Sequence, residues 1–356
     1  MKLFESYQLG ATSLANKVVM APMTRSRAID NIPGDLMAEY YGQRASAGLI
    51  ITEGTAPSPN GCGYPRIPGI WNQAQIEGWA KVTKAVHDNG GKIFMQIMHT
   101  GRASHPANMG SGTKVVAPSA IQLSGEMWTD AEGMQAYPVP QEMSTEDIKT
   151  AIQEYVDAAK NAIKSGMDGV ELHSANGYLM EQFLTPHSNQ RRDEYGGSIE
   201  NRNRFILEVA KGVTDAIGSD KVGIRVSPYG VFNDQGPFDE LEAQYEALVK
   251  GLNDLGLTYI HVVDHSGMGA PEVPASIKDE IRNQFKNTYI SSGDMTKRKA
   301  EIVLEANEGD LVAFGRPFIA NPDLVHRLEE NIDLAAPDFD TFYTPGEKGY
   351  TDYPTA

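Results

Sequence analysis

Gly169-Val170-Glu171-Leu172-His173-Ser174-Ala175-Asn176-Gly177-Tyr178-Leu179 carries the pattern on which the fold is read. Successive side chains of a strand point to opposite faces, so Val170 and Leu172 share one side and Gly169, Glu171 and His173 the other. The first side is aliphatic and suits packing against helices; the second ends in a polar group. The same division recurs to either side. Upstream, Ile93, Met95 and Ile97 oppose Phe94, Gln96 and Met98; downstream, Val222, Ile224 and Val226 oppose Gly223, Arg225 and Ser227. Gln96, His173 and Arg225 therefore fall at or near the C-terminal ends of three strands.

Further out, short apolar runs recur at Val18–Met20, Leu49–Thr52, Ile93–Ile97, Val170–His173, Val222–Val226, Tyr259–Val263, Thr288–Ser291 and Leu311–Phe314. Several stretches between them carry the spacing of an amphipathic helix, as in Ile152, Tyr155, Val156, Ala159 and Ile163, or Phe205, Ile206, Val209 and Val213. Ser144 and Ser198, each followed by acidic residues, read as helix caps. Strand and helix alternating eight times predicts an α/β chain closed into a single (β/α)8 TIM barrel, with a doubly wound open sheet as the alternative. Residues 99–142, between the third and fourth strands, are rich in Gly, Pro, Ser and Met and read as a lid excursion. Residues 335–356 read as a tail wrapping the barrel surface, so that 1–356 form one domain.

Composition narrows the function. At 356 residues and a net charge of −16, the chain lacks the basic surface that a nucleic acid or an anionic leaflet would require. The single cysteine, Cys62, excludes an internal disulfide, and no zinc-ligand spacing occurs. No apolar run approaches the length of a membrane span, and the N-terminus lacks a signal-peptide pattern. A cytoplasmic monomer or weak homo-oligomer acting on small molecules is the expectation.

Barrels place their chemistry at the C-terminal ends of the strands, where Gln96, His173 and Arg225 converge. An inward Arg225 needs an anion, which is either Glu171 or the electronegative edge of a cofactor. His173 and Asn176, on one side of a first helical turn, would offer two N–H donors to one oxygen, with the Tyr178 phenol approaching from another direction. An ordinary strand-to-helix turn with a capping Asn is the plainer reading of that segment. Gly293 and Gly315-Arg316, after the seventh and eighth strands, suit a phosphate pocket. No G-x-G-x-x-G follows the first strand, which argues against a Rossmann site; Ala21-Pro22-Met23-Thr24 presents a hydroxyl there instead.

Taken together these segments resemble the Old Yellow Enzyme family of flavin-dependent ene-reductases, over essentially the whole chain. The most specific stretches are Glu171–Leu179, Asn189-Gln190-Arg191-Arg192-Asp193-Glu194-Tyr195-Gly196-Gly197-Ser198, His99-Thr100-Gly101-Arg102 and Ala313-Phe314-Gly315-Arg316. The branch it is most similar to holds the N-ethylmaleimide, pentaerythritol tetranitrate and 12-oxophytodienoate reductases. The resemblance implies non-covalent FMN, held by Pro22, Met23, Thr24, Gly54, Gln96, Arg225, Gly293, Gly315 and Arg316. It implies ping-pong turnover, in which NADPH or NADH reduces FMN and an activated alkene or nitro compound is then reduced. His173 and Asn176 would grip the substrate oxygen and Tyr178 would donate the proton, with Met98 and Tyr350 completing the substrate site. Gly54 stands where relatives commonly carry Ala, a change expected to be tolerated. Met98 stands where Trp is frequent, and Asn176 where some relatives have His. Reduction of nitrate esters or nitroaromatics is the alternative within this fold. A flavin-free phosphate-binding lyase or isomerase, with Glu171 as its base, is the alternative outside it.

Overall fold

The computed structural model describes residues 1–356. Eight parallel strands form a closed barrel: β1 (Val18–Met20), β2 (Leu49–Ile51), β3 (Ile93–Ile97), β4 (Gly169–Ser174), β5 (Val222–Val226), β6 (Tyr259–Val263), β7 (Thr288–Ser292) and β8 (Leu311–Phe314). Each strand pairs with its neighbours in sequence, β8 returns to β1, and the ladder closes without an edge. The open-sheet alternative is thereby set aside, and the expected strands fall within about a residue or two of the observed ones.

The two faces of each strand feed two cores. Met95, Leu172, Ile224 and Val312 point outward, into the large cluster shared with the surrounding helices. Val19, Leu49, Ile51, Phe94, Tyr259, Ile290 and Leu311 fill the barrel interior. Leu9 and Leu14 join that inner cluster from an antiparallel hairpin, Tyr7–Leu9 with Thr12–Leu14, which plugs the N-terminal end. That hairpin was not anticipated, because its three-residue strands are too short to show alternation. With the bottom plugged, only the C-terminal end is left for chemistry.

The caps at Ser144 and Ser198 are present: Ser144 Oγ accepts from the Asp147 N–H, and Ser198 Oγ from that of Asn201. The 99–142 excursion is more ordered than its composition suggests. It contains an antiparallel hairpin, Glu126–Thr129 with Gly133–Ala136, and a short parallel pair, Val116–Ala117 with Gln141–Glu142. Asp234 anchors it to the β5 side by accepting from Ser124 N at 2.7 Å and Ser124 Oγ at 2.6 Å, and Arg66 pairs with Asp130 in the turn of the hairpin.

The C-terminal segment is held by three buried arginines. Arg25 Nη2 donates to the Gly349 carbonyl at 2.7 Å, Arg27 Nη2 to that of Thr341 at 2.8 Å, and Arg44 Nη2 to that of Tyr350 at 3.4 Å. Tyr350 lies under this fan, fully buried, its ring stacked on Tyr40 at 4.0 Å. Its expected place in a substrate site is therefore corrected. A ring clamped between Tyr40 and two guanidinium groups is a packing element with no face open to a ligand.

Candidate active site

The polar side chains at the C-terminal ends of the inward faces form a layered network. At its base Glu171 accepts from Gln96 Nε2 at 2.8 Å, from the Tyr259 hydroxyl at 3.1 Å and from His261 Nδ1 at 2.8 Å. Although burial opposes its charge, the neighbouring His261 and Arg225 hold this carboxyl below its ordinary range. Glu171 is thus an engaged anion inside the barrel and is poorly placed as a free base.

Of the two partners open to Arg225, Glu171 does not pair with it. Glu171 spends its oxygens on three other donors, and the buried Arg225 Nε has no partner. A buried guanidinium without an acceptor is costly, so this atom marks a place for an electronegative group. Gln96, with Nε2 committed to Glu171, keeps its carbonyl oxygen as an acceptor for an N–H. One acceptor beside one cation suits the pyrimidine edge of a flavin, whose N–H and carbonyl oxygens are the complement.

Around this floor stand Pro22, Met23 and Thr24, partly exposed just beyond β1, and Gly293, Gly315 and Arg316 beyond β7 and β8. Gly293 has a φ of +143°, and a Cβ there would lie 2.3 Å from the Asp264 carbonyl oxygen, so only glycine fits. A Cβ on Gly315 would meet nothing nearer than Met23 Sδ at 3.8 Å, leaving a small hollow at this rim. Arg316 lies 3.7 Å from Asp294, and both side chains are exposed.

Gly54 and Met98 share one volume. A Cβ there would lie 2.5 Å from Met98 Sδ and 3.1 Å from Met98 Cβ, so Met98 fills the volume that an alanine would need. Met98 is itself buried, among Ala56, Cys62 and Ile67, with Tyr64 and Tyr178 packed on that cluster. We predict that Gly54→Ala lowers stability by about 1–3 kcal/mol through overpacking. Met98→Ala in the same chain should relieve part of that loss, giving a non-additive double mutant in thermal melts.

The His173 and Tyr178 rings meet, with Asn176 in the turn between them, by a route other than a helical turn. Asn176 and Gly177 are left-handed, with φ of 60° and 71°, and the helix begins only at Leu179. The Tyr178 ring lies 5.0 Å from that of His173, and its hydroxyl donates to the Tyr64 hydroxyl at 3.2 Å. Burial drives the His173 imidazole well below its ordinary range, helped by the Arg225 charge, so the ring is neutral with a single N–H. Burial pushes the Tyr178 phenol up to about 12, so it carries its proton at neutral pH.

Behind this loop, Glu181 Oε2 accepts from the Gly177 N–H at 2.5 Å, and Oε1 from the Ser227 hydroxyl at 2.8 Å. Burial raises the Glu181 carboxyl to about 7 despite these bonds. Between pH 4.5 and 7 the folded carboxyl keeps a proton that the unfolded one releases, so its contribution to stability falls as pH rises through that window. Glu181→Gln lacks this dependence. Its stability relative to the wild type should climb by up to about 3 kcal/mol across the window. Denaturant melts at about pH 5 and about pH 8 measure this, and an unchanged difference would refute the assignment.

Four residues near this cluster were not expected: Tyr64, Asn233, His265 and Tyr343. Tyr64 lies in a Gly- and Pro-rich turn that carries no periodicity, and Tyr343 is an electrostatic neighbour of both Tyr64 and Tyr178. His265 was within reach, because it follows the C-terminal end of β6 just as Ser227 follows that of β5.

The fold and this polar mouth define a barrel oxidoreductase built around a flavin, and comparison with known proteins places it. Residues 2–335 match the model of the NADH:flavin oxidoreductase / NADH oxidase family. A "Probable flavin mononucleotide-dependent alkene reductase" of Leishmania infantum is 42% identical over 97% of this chain and 95% of its own. Morphinone reductase in complex with tetrahydroNAD superposes with a TM-score of 0.95 at 43% identity, covering 100% of this chain and 98% of that one. The Old Yellow Enzyme homologue of Zymomonas mobilis gives 0.94 at 40% identity, covering 99% of each. The chain belongs to the NADH:flavin oxidoreductase family, in its Old Yellow Enzyme group, and is an FMN-dependent, NAD(P)H-using oxidoreductase of the ene-reductase type. No helix is long and apolar enough to cross a membrane.

Proposed function

We propose that this enzyme reduces the C=C bond of α,β-unsaturated carbonyl compounds, such as enones, enals and maleimides, with His173, Asn176 and Tyr178 as the groups that act on the substrate. The observation that carries this reading is the protonated Tyr178 phenol packed 5.0 Å from the neutral His173 imidazole, with Asn176 in the turn between them and an unpartnered Arg225 Nε on the adjoining strand. Bound FMN supplies the hydride, which it obtains from a nicotinamide coenzyme.

Gln96, Arg225 and Thr24 would hold the flavin ring, with Pro22, Met23 and Gly54 alongside. Gly293, Gly315 and Arg316 would hold its phosphate. The unsatisfied Arg225 Nε would gain an acceptor, and its charge would favour negative charge on the ring. The protein's net charge of −16 opposes an anionic cofactor, so this local cation matters more here than in a neutral chain.

Two N–H donors aimed at one carbonyl oxygen draw electron density from the conjugated double bond and stabilise the developing enolate, as an oxyanion hole does. Tyr178 would donate its phenolic proton to the α-carbon. The Tyr64 hydroxyl, 3.2 Å away, can then turn to donate to the phenolate left behind. The floor of the site, with Glu171 saturated, offers no competing proton at that level.

The test is direct. Purified protein should bind FMN, bleach anaerobically with NADPH or NADH, and regain colour when cyclohexenone or N-ethylmaleimide is added. Folded protein that takes up FMN but returns no colour with any enone, maleimide or nitro compound would overturn the reading.

A further inference from the structure

Asn176 is held from three sides. Its backbone N–H donates to Ser227 Oγ at 2.8 Å, its carbonyl accepts from Asn233 Nδ2 at 2.7 Å, and its side-chain Oδ1 lies 2.8 Å from His265 Nε2. The first two bonds hold the left-handed backbone. The third acts on the carboxamide itself, and it comes from a different strand end.

A terminal amide torsion is broad and roughly two-fold, so an unheld Asn presents its oxygen about as readily as its nitrogen. In a site built to grip an oxygen, the wrong end is repulsive. Oδ1 can only accept, so the bond at 2.8 Å requires a proton on His265 Nε2. The amide nitrogen, which makes no bond within the chain, is then the end left for a ligand. Phe232 packs edge-on to the imidazole at 4.7 Å, and the His265 backbone carbonyl accepts from Met268 N at 2.8 Å.

We propose that His265 is a positioning residue for alkene reduction, its Nε2–H holding the Asn176 oxygen so that the amide N–H2 faces the substrate oxygen. This rests on the role given above to Asn176. His265 touches no reacting atom; it removes the unproductive amide orientation. Burial, together with the Arg225 charge, holds the ring down at about 4, so it is neutral with one N–H to place throughout the working range.

The FMN-loaded enzyme and four variants test this: His265→Ala, His265→Gln, Asn176→Ala and the Asn176→Ala/His265→Ala pair. The readouts are affinity for 4-hydroxybenzaldehyde, followed by flavin absorbance, and the rates of the two half-reactions measured separately. His265→Ala should weaken phenol binding and slow cyclohexenone reduction by about tenfold each, because a misplaced donor is a poor one. Flavin content should be unchanged. His265→Gln, which restores an N–H, should recover most of both losses. In the Asn176→Ala background His265→Ala should add nothing. Should the alanine variant fail to fold, His265→Phe keeps the ring against Phe232 without the N–H, and the same losses are expected. Equal losses with and without Asn176, or phenol affinity unchanged in His265→Ala while the wild type reduces enones normally, would overturn the role of His265 alone. A wild type that reduces no alkene would overturn the function beneath it.

Discussion

Tyr178→Phe should slow alkene reduction by about 10²–10⁴-fold while leaving reduction of the flavin by NADPH or NADH unchanged. The asymmetry follows from where the phenol proton is used. Only the second half-reaction adds a proton to carbon, and Tyr178 is the protonated group beside His173 and Asn176. Its hydroxyl lies within hydrogen-bond reach of Tyr64, so removing it costs one hydrogen bond and little packing. Stopped-flow measurement of each half-reaction separates the effects. Equal loss in both would refute the proton-donor assignment, since no such proton is required when the coenzyme reduces the flavin. Any residual rate in Tyr178→Phe should fall further on Tyr64→Phe if the second phenol stands in.

His173→Ala combined with Asn176→Ala is expected to produce the second large effect. Loss of one preorganised donor to a developing oxyanion costs about 10²–10³-fold in rate, and here both donors go. The double variant should therefore leave alkene reduction close to background and abolish tight binding of phenols, whose phenolate oxygen imitates the gripped carbonyl. Since His173 is a neutral ring and Asn176 does not titrate, wild-type phenol binding between about pH 6 and about pH 8 should follow the ionisation of the phenol itself and that of Glu181 behind the Asn176 loop, and no titration of the two donors. Retention of phenol affinity in the double variant would place the oxygen-binding site elsewhere.

Much of the barrel could be read because it repeats a local rule. Each strand alternates an aliphatic face with an inward one, and the polar residue near its C-terminal end marks the mouth; Gln96, His173 and Arg225 were found that way. The closing hairpin Tyr7–Leu14 escaped because three-residue strands have no period to detect. Tyr350 was misplaced for a related reason. Its tail has no periodicity, and the arginines that bury it are about three hundred residues away in sequence.

The pairings within the site depended on geometry beyond any local pattern. That Glu171 would serve Gln96, Tyr259 and His261, leaving Arg225 for a ligand, follows from which side chains a closed barrel brings to one level. Gly54 and Met98 each look like an independent departure in sequence, yet they share one volume. The alternation, the helix caps and the chemical types gathered at the strand ends are legible along the chain, because these depend on neighbours a few residues apart. Which donor faces which acceptor is set by the closed barrel. It set Asn176 between Ser227, Asn233 and His265, since a hydrogen bond is chosen by distance and angle across a closed sheet, and no local pattern encodes those.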